Sequence, residues 1–416
     1  MSANPAANIS RVHHDDRQGA CRDGHSEPDT RMARRVILWS HYLLVGLLFL
    51  GVVAYAGPRE QAQRMHNRLA GVPPSAIVLN QMEALIADGD SAGAAALAME
   101  NDAFYNATLK NWIAPWTNEE RDVFVPLNDY TATVIGMIRD DVPFNTLFSA
   151  DILYVGSGSG LPPYSMTNND HYEELEARGL PLQDALQRRT QSALTDLPPE
   201  AIAGIFTTRQ AAQAYFIMGT NRAMFRFMLM DHMCRDLEQM QDTTRTPDRI
   251  RQDVSRSPGG DSRVFLNNCV SCHSGMDPMA GAFAFYDYDV DLGRIIYSAN
   301  QVQPKYSLNN TTFAPGYITT DDGWVNYWRE GIHGSVGWDL SLPGSGNGAA
   351  SMGDELANSQ EFASCQVRKV FRNVCLRDPV DGADRNQIDA MVAGFRAGGF
   401  RMKQVFAESA AYCMGE

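Results

Sequence analysis

Hydrophobic and polar positions fall into three regimes along this chain. From Val36 to Ala56 nearly every residue is apolar, and Arg31, Arg34 and Arg35 stand just before the run. Ahead of it, residues 1–31 are polar and show little periodicity. Beyond it, apolar residues recur at three- and four-residue spacing through most of the sequence, the mark of amphipathic helices. Residues 59–69 form one such pattern, which stops at Gly71. Pro73-Pro74-Ser75 opens a second that runs to about Ala87. Residues 92–110 and 127–139 predict two more, Pro198-Pro199 starts another near Glu200, and 221–237 is a long Met-rich one. Its Met224, Met228, Met230 and Met233 read as core packing. Gly156, Gly158, Gly160, Pro162, Pro163 and Asn168-Asn169 mark 151–170 as a long loop. Strand signals are few, with 294–298 a short candidate. No repeat of solenoid or propeller length is visible. The fold class expected is all-α.

The polar run from Gln241 to Ser262, with Pro258-Gly259-Gly260, reads as a boundary between domains. The plan that follows has five parts. Residues 1–31 are a polar tail, untranslated if translation starts at Met32. Residues 32–56 are a signal peptide or membrane anchor. A helical domain spans 57–250, a linker 251–262, and a second domain 263–416. The second domain holds a Gly-rich stretch at 331–353 and a final pair of helices from about Asp354.

Basic residues, an apolar run and the small-residue ending Ala54-Tyr55-Ala56 together describe an export signal. The run also approaches the ~20 residues that span a bilayer, so attachment to a membrane through residues 36–56 is the other reading. Either way the body of the protein is expected in the periplasm or on the outer face of the inner membrane. The 416 residues carry a net charge of −14, which argues against nucleic acid as a partner, since phosphate binding needs clustered Lys and Arg. His13, His14 and Cys21 read as part of a solvated tail rather than a metal site.

One pentapeptide carries chemistry. Cys269-Val270-Ser271-Cys272-His273 is a C-x-x-C-H motif. Thiols three positions apart can each add to one vinyl group of a haem, and the next residue then reaches the iron as its proximal imidazole. With 7 Cys and 9 His in the chain, a shuffled sequence holds this pattern in only about 0.0025 of cases. The thioredoxin-like reading of C-x-x-C needs a βαβ context that the pattern here lacks. One covalent haem c is therefore expected on Cys269 and Cys272, with His273 as an iron ligand. For the sixth ligand the sequence offers Met352, which follows the flexible Gly344-Ser345-Gly346-Asn347-Gly348, or His333. His66, His171 and His232 read as ordinary histidines. His171, beside Asp170 and Glu173-Glu174, reads as a solvated helix start.

Cysteine arithmetic agrees with export. Beyond the apolar run, Cys234, Cys365, Cys375 and Cys413 remain once the motif is set aside, an even number. Cys375 and Cys413 end two helices that the turn Asp378-Pro379-Val380-Asp381-Gly382 reverses, so these two are expected to pair. Cys234 and Cys365 then pair by elimination, or stay as buried free thiols.

The segment from Cys269 through Ser274-Gly275-Met276-Asp277-Pro278, followed by Gly281-Ala282-Phe283-Ala284-Phe285, resembles the planctomycete-type cytochrome c proteins. Those are exported proteins of several domains whose haem motif is typically followed by Met or Ile, Asp-Pro, Gly-Phe-Ala and an Asp. Asp287 or Asp289 fills the last place here. Arg68-Leu69-Ala70-Gly71-Val72-Pro73-Pro74, Phe227-Met228-Leu229-Met230-Asp231-His232-Met233-Cys234 and Phe362-Ala363-Ser364-Cys365 are similar to further segments of that group. The chain departs from it at Ala282 and at Val374-Cys375-Leu376, as a divergent branch would. The resemblance implies a cytochrome-c-like haem domain and an exported location, and it implies no substrate. The function expected is electron transfer with a redox partner protein. The alternative is a haem-containing oxidoreductase, or its electron-accepting subunit, with a substrate site in the helical domain and the 151–170 loop as its lid.

Overall fold

Gly71 ends the first helix as its position predicts. Helix α1 (Pro58–Ala70) has Pro in its first turn, and Gly71 closes it at φ 74°, its N–H donating to the Asn67 carbonyl. Ser75 caps α2 (Ala76–Ala87) by accepting from the Val78 N–H. Helix α3 (Ser91–Met99) is shorter than its pattern. A π-helical turn, Phe104–Leu109, and a single α-turn, Lys110–Ile113, carry the rest. These are the shapes of a computed structural model of the chain, which describes residues 56–217, 219–253, 262–307, 313 and 315–415.

Helix α4 (Asp129–Arg139), capped by Asn128, is buried on nearly every side. No α-helix forms at Glu200, where two 3-10 turns, Pro199–Ala201 and Gly204–Thr207, stand instead. Gly204 explains the break. It sits at φ 53°, and a Cβ there would lie 2.1 Å from the Leu147 carbonyl oxygen. The backbone crosses Leu147 at contact distance, with the Ile205 N–H donating to that carbonyl. Helices α5 (Arg209–Tyr215) and α6 (Arg222–His232) follow, then α7 (Val270–Ala280) and α8 (Ala349–Ala357). The chain closes with α9 (Gln360–Cys375), α10 (Gly382–Ala397) and α11 (Met402–Cys413).

The protein is mostly α, with three two-stranded antiparallel ladders among the described residues. β1 (Leu153–Gly156) pairs β2 (Leu186–Arg189), with Leu153 opposite Arg189. The predicted loop 151–170 thus begins as a strand, because Leu-Tyr-Val favours extended backbone ahead of the glycines. β3 (Tyr286–Asp289) pairs β4 (Arg294–Tyr297), where the sequence offered a strand. β5 (Gly323–Val325) pairs β6 (Ser345–Asn347).

The division into a 57–250 domain and a 263–416 domain is not what forms. Residues 55–416 make one unit. Helix α9 packs on α10 and α11, and α11 packs on α1 and α3, so the C-terminal helices complete the N-terminal ones. One apolar core runs from Ala62 to Ala410. The expected linker also fails at its start, since Arg251 and Asp253 are buried, as is Asp242 in the polar run before them. Their charges are neutralised in pairs instead of being solvated: Arg245 with Asp242, Arg251 with Asp253. Polarity alone mimics a linker in the sequence. Residues 254–261 lie outside the described residues.

Both expected disulfides form, Cys234–Cys365 at 5.3 Å and Cys375–Cys413 at 5.4 Å between Cα atoms. The expectation of a transmembrane helix is corrected: among the described residues no helix is long and apolar enough to cross a membrane. The tail 1–31 and the apolar run up to Tyr55 lie outside those residues.

Candidate cofactor site

Helix α7 carries the C-x-x-C-H motif on its first turn. A short helix, Ser262–Asn268, leads into it, and Cys269 takes the N-cap position. The Cys269 carbonyl accepts from the N–H groups of both Cys272 and His273. That turn puts the two thiols and the imidazole at the same end of the helix. With four cysteines in disulfides, Cys269 and Cys272 are the free cysteines among the described residues, and both are partly exposed. Burial pushes the Cys272 thiol up, and its Sγ lies 3.5 Å from the Leu237 carbonyl. Cys269 and Val270 pack against a small apolar cluster of Ile250, Phe265 and Phe313, and the Phe265 ring lies 5.4 Å from that of His273.

The opposite side of His273 is set by charge. Its Nδ1 lies 3.0 Å from Oδ1 of Asp277, one helical turn on, and Asp277 is fully buried. Both Asp277 oxygens accept from Arg222, at 2.6 and 3.0 Å, and Oδ2 also accepts from the Arg251 backbone N–H. Arg222 reaches on to Asp253 at 2.8 Å and to Thr220. Burial alone would raise the Asp277 carboxyl, but Arg222 and His273 outweigh it and hold it well below the usual carboxylate range. An ionised carboxylate only accepts, so the proton of a neutral His273 ring sits on Nδ1. Nε2 is then the nitrogen with a lone pair to offer.

The sequence candidates for a sixth ligand end in different places. His333 lies near the motif, its Nε2 bonded to the Gln241 carbonyl at 2.9 Å, while the Asp242 N–H donates to the Ser271 carbonyl. Met352 is fully buried in the main core on α8. Metal binding by the chain's own side chains is also corrected, because no group of three or more His, Cys, Asp or Glu that could hold a metal ion occurs among the described residues. The motif supplies one imidazole and two thiols to be spent on covalent attachment, so any iron here has to arrive inside a chelator. The remaining histidines among the described residues are structural. His66 bonds the Val72 carbonyl, His232 the Tyr130 hydroxyl, and His171 spans the Pro162 carbonyl and the Gly156 N–H. His171 is buried, where its acidic neighbours suggested a solvated helix start.

The residues chemically suited to a covalent tetrapyrrole are thus Cys269, Cys272 and His273, with an apolar cluster beside them and an imidazole nitrogen that no described residue engages. The sequence alone assigns no role to Asp277 or Arg222. The signal for Asp277 was its position four residues after His273, on the same helical face. Nothing local pointed to Arg222, which comes from a helix far earlier in the chain. No family model, curated protein or solved structure matches this chain.

Proposed function

We propose that this chain is an exported c-type cytochrome that carries one covalent haem and passes electrons between partner proteins. The observation that carries the reading is selective. Four cysteines are paired, and the two left free among the described residues stand three apart, directly ahead of a histidine whose outer nitrogen has no hydrogen-bond partner among those residues. Cys269 and Cys272 would hold the group through two thioethers, and His273 would ligate its iron. Bound there, haem supplies a one-electron ferric–ferrous couple. Asp277 fixes the ring orientation and tautomer of His273, and Arg222 keeps Asp277 ionised. The apolar side chains of Ile250, Phe265 and Phe313 exclude water beside Cys269. Two disulfides support a location outside the cytoplasm, where such bonds persist. The resemblance to planctomycete-type cytochrome c proteins belongs to the same reading.

A second reading, a haem oxidoreductase or its electron-accepting subunit, is favoured by one observation. The 151–170 loop lines a cavity of about 500 Å³ together with His171 and Arg189. Spin state separates the two, since six-coordinate low-spin iron supports electron transfer and an open coordination site supports substrate chemistry. The test of the main reading is mass spectrometry with a pyridine haemochrome assay, on protein from a host that matures c-type cytochromes. One haem is expected on the peptide holding Cys269 and Cys272. A bare polypeptide mass would refute it.

A further inference from the structure

A cleft with a volume of about 970 Å³ lies apart from the C-x-x-C-H turn, between residues 112–121, the end of α6 with the segment that follows it, and one face of α9. Its charge is opposite to that of the protein. The chain as a whole carries −14, yet five cations line this cleft: Arg121, Arg235, Arg368, Lys369 and Arg372. The carboxylates on its walls are Asp236 and Glu361. Asp236 is engaged by Arg226, and Glu361 is shared between Arg235 and Arg368. Arg121 pairs with Asp231, which is buried beneath the wall, and Arg372 with the exposed Asp378.

Lys369 is the unusual member. Its ammonium lies 3.2 Å from the ring centroid of Trp116 and 5.4 Å from that of Trp112, and it donates to the Asp231 backbone carbonyl. Burial pushes it well below the ordinary lysine value, with the Asp231 carboxylate opposing that shift and Arg121 adding to it. An ammonium has three donors, and the described contacts give this one a single oxygen acceptor and an indole face. The disulfide Cys234–Cys365 ties the segment after α6 to the centre of α9, so the cations of the two walls are held at a fixed separation.

We infer that this cleft is a binding site for a small organic polyanion with a flat, aromatic body. Carboxylates at opposite ends of the ligand meet Arg121 and Arg235 on one wall, and Arg368, Lys369 and Arg372 on the other. The flat body lies along the partly exposed indole of Trp112 on the cleft wall, while Trp116 is buried against Trp112 and beneath the Lys369 ammonium. Paired arginines give planar, two-pronged donors to each carboxylate. The cleft's size falls in the range of small-molecule sites, about 300–1,000 Å³. The inference does not rest on haem, because no residue of the C-x-x-C-H turn lines this cleft.

The test uses the full chain and 2,6-naphthalenedicarboxylate as probe, read by calorimetry and by quenching of tryptophan fluorescence. Saturable one-to-one binding is expected. Arg368→Gln and Arg372→Gln should each weaken it by about tenfold, a single lost charge-assisted contact. Lys369→Met should abolish it. Because that variant removes a group packed against two indoles, its folding is checked by circular dichroism, and the variants at the partly exposed Arg368 and the exposed Arg372 stand as the independent arm. The neutral naphthalenedicarboxamide should bind at least about tenfold more weakly. Arg178→Gln, remote from the cleft, should change nothing. Absence of saturable binding at millimolar probe would overturn the proposal. So would equal affinity for the dicarboxamide, or retained affinity in both arginine variants. Tight binding of polyglutamate with none of the dicarboxylate would overturn it in favour of an acidic protein partner.

Discussion

Asp277→Asn removes one charge from the centre of a buried network and changes almost no volume. In the native protein the Asp277 carboxylate accepts two hydrogen bonds from Arg222, one from the Arg251 N–H and one from His273. The side chain is fully buried. The asparagine keeps one carbonyl acceptor, turns the other position into a donor facing Arg222, and leaves Asp253 to balance the guanidinium. Breaking one partner out of a buried pair costs about 3–5 kcal/mol. With a urea m-value of ~3 kcal/mol/M, the unfolding midpoint should fall by about 1–1.7 M at pH 7. The pH dependence has a fixed sign. The folded carboxyl lies well below its unfolded value of about 3.9. Its contribution is therefore fully present above that value and is lost as pH falls through the folded one. The gap between the two proteins should be constant from pH 7 to about pH 5 and shrink as pH is lowered below about 4. The assay is urea unfolding followed by tryptophan fluorescence across that range. A gap under about 1 kcal/mol at pH 7, or one that does not change with pH, would refute the buried-network account.

Three further outcomes are expected. Cys375→Ser with Cys413→Ser opens a loop of sequence separation 38 and should lower stability by about 3–4 kcal/mol, read as a drop in thermal midpoint. Met352→Ala removes a fully buried side chain; about 2–5 kcal/mol should be lost with the absorption spectrum of the proposed haem unchanged, and disappearance of a near-infrared sulfur–iron band would make Met352 the sixth ligand instead. Burial raises the Asp231 carboxyl to about 6, with Lys369 and Arg121 opposing. The stability that its protonated form contributes is present below about pH 3.9 and fades as pH rises through about 6. Asp231→Asn should flatten that decline, and an unflattened urea midpoint between pH 4 and 6 would count against it.

Local signals in the sequence match the structure where local physics decides. Gly71, Ser75 and the short 294–298 strand lie where capping chemistry and β propensity put them. The motif turn at Cys269–His273 and both disulfides were legible because spacing and parity constrain them. The domain boundary was not. A run of Asp, Arg and Thr looks the same whether water or a buried counter-charge balances it, and here Asp253 stands as the counter-charge to both Arg251 and Arg222 inside the protein. The helix expected near Glu200 failed because of a long-range contact, the close passage of Gly204 over Leu147. At the candidate site, the thiols and the imidazole come from five consecutive residues, so they were visible. Arg222 acts across a sequence separation of 55. The basic cleft gathers residues from three distant segments, and no window of sequence displays it.

The pairing of Cys234 with Cys365 has a consequence for how the molecule is made. The loop it closes contains both Cys269 and Cys272. If the chain is exported as proposed, it crosses the membrane N-terminus first, and Cys234 meets those two thiols long before Cys365 arrives. An oxidant acting on cysteines in order of emergence would join Cys234 to Cys269, or Cys269 to Cys272, and each such bond uses up a sulfur that the finished protein keeps out of its disulfides. Correct maturation is thus a matter of timing. Either the motif thiols are occupied before Cys365 appears, or a premature bridge must be undone by thiolate attack and the pairing repeated. A host with strong oxidising capacity and little isomerase should accumulate full-length, soluble, mispaired chains, and the yield of native protein should follow its reshuffling activity more closely than its rate of synthesis.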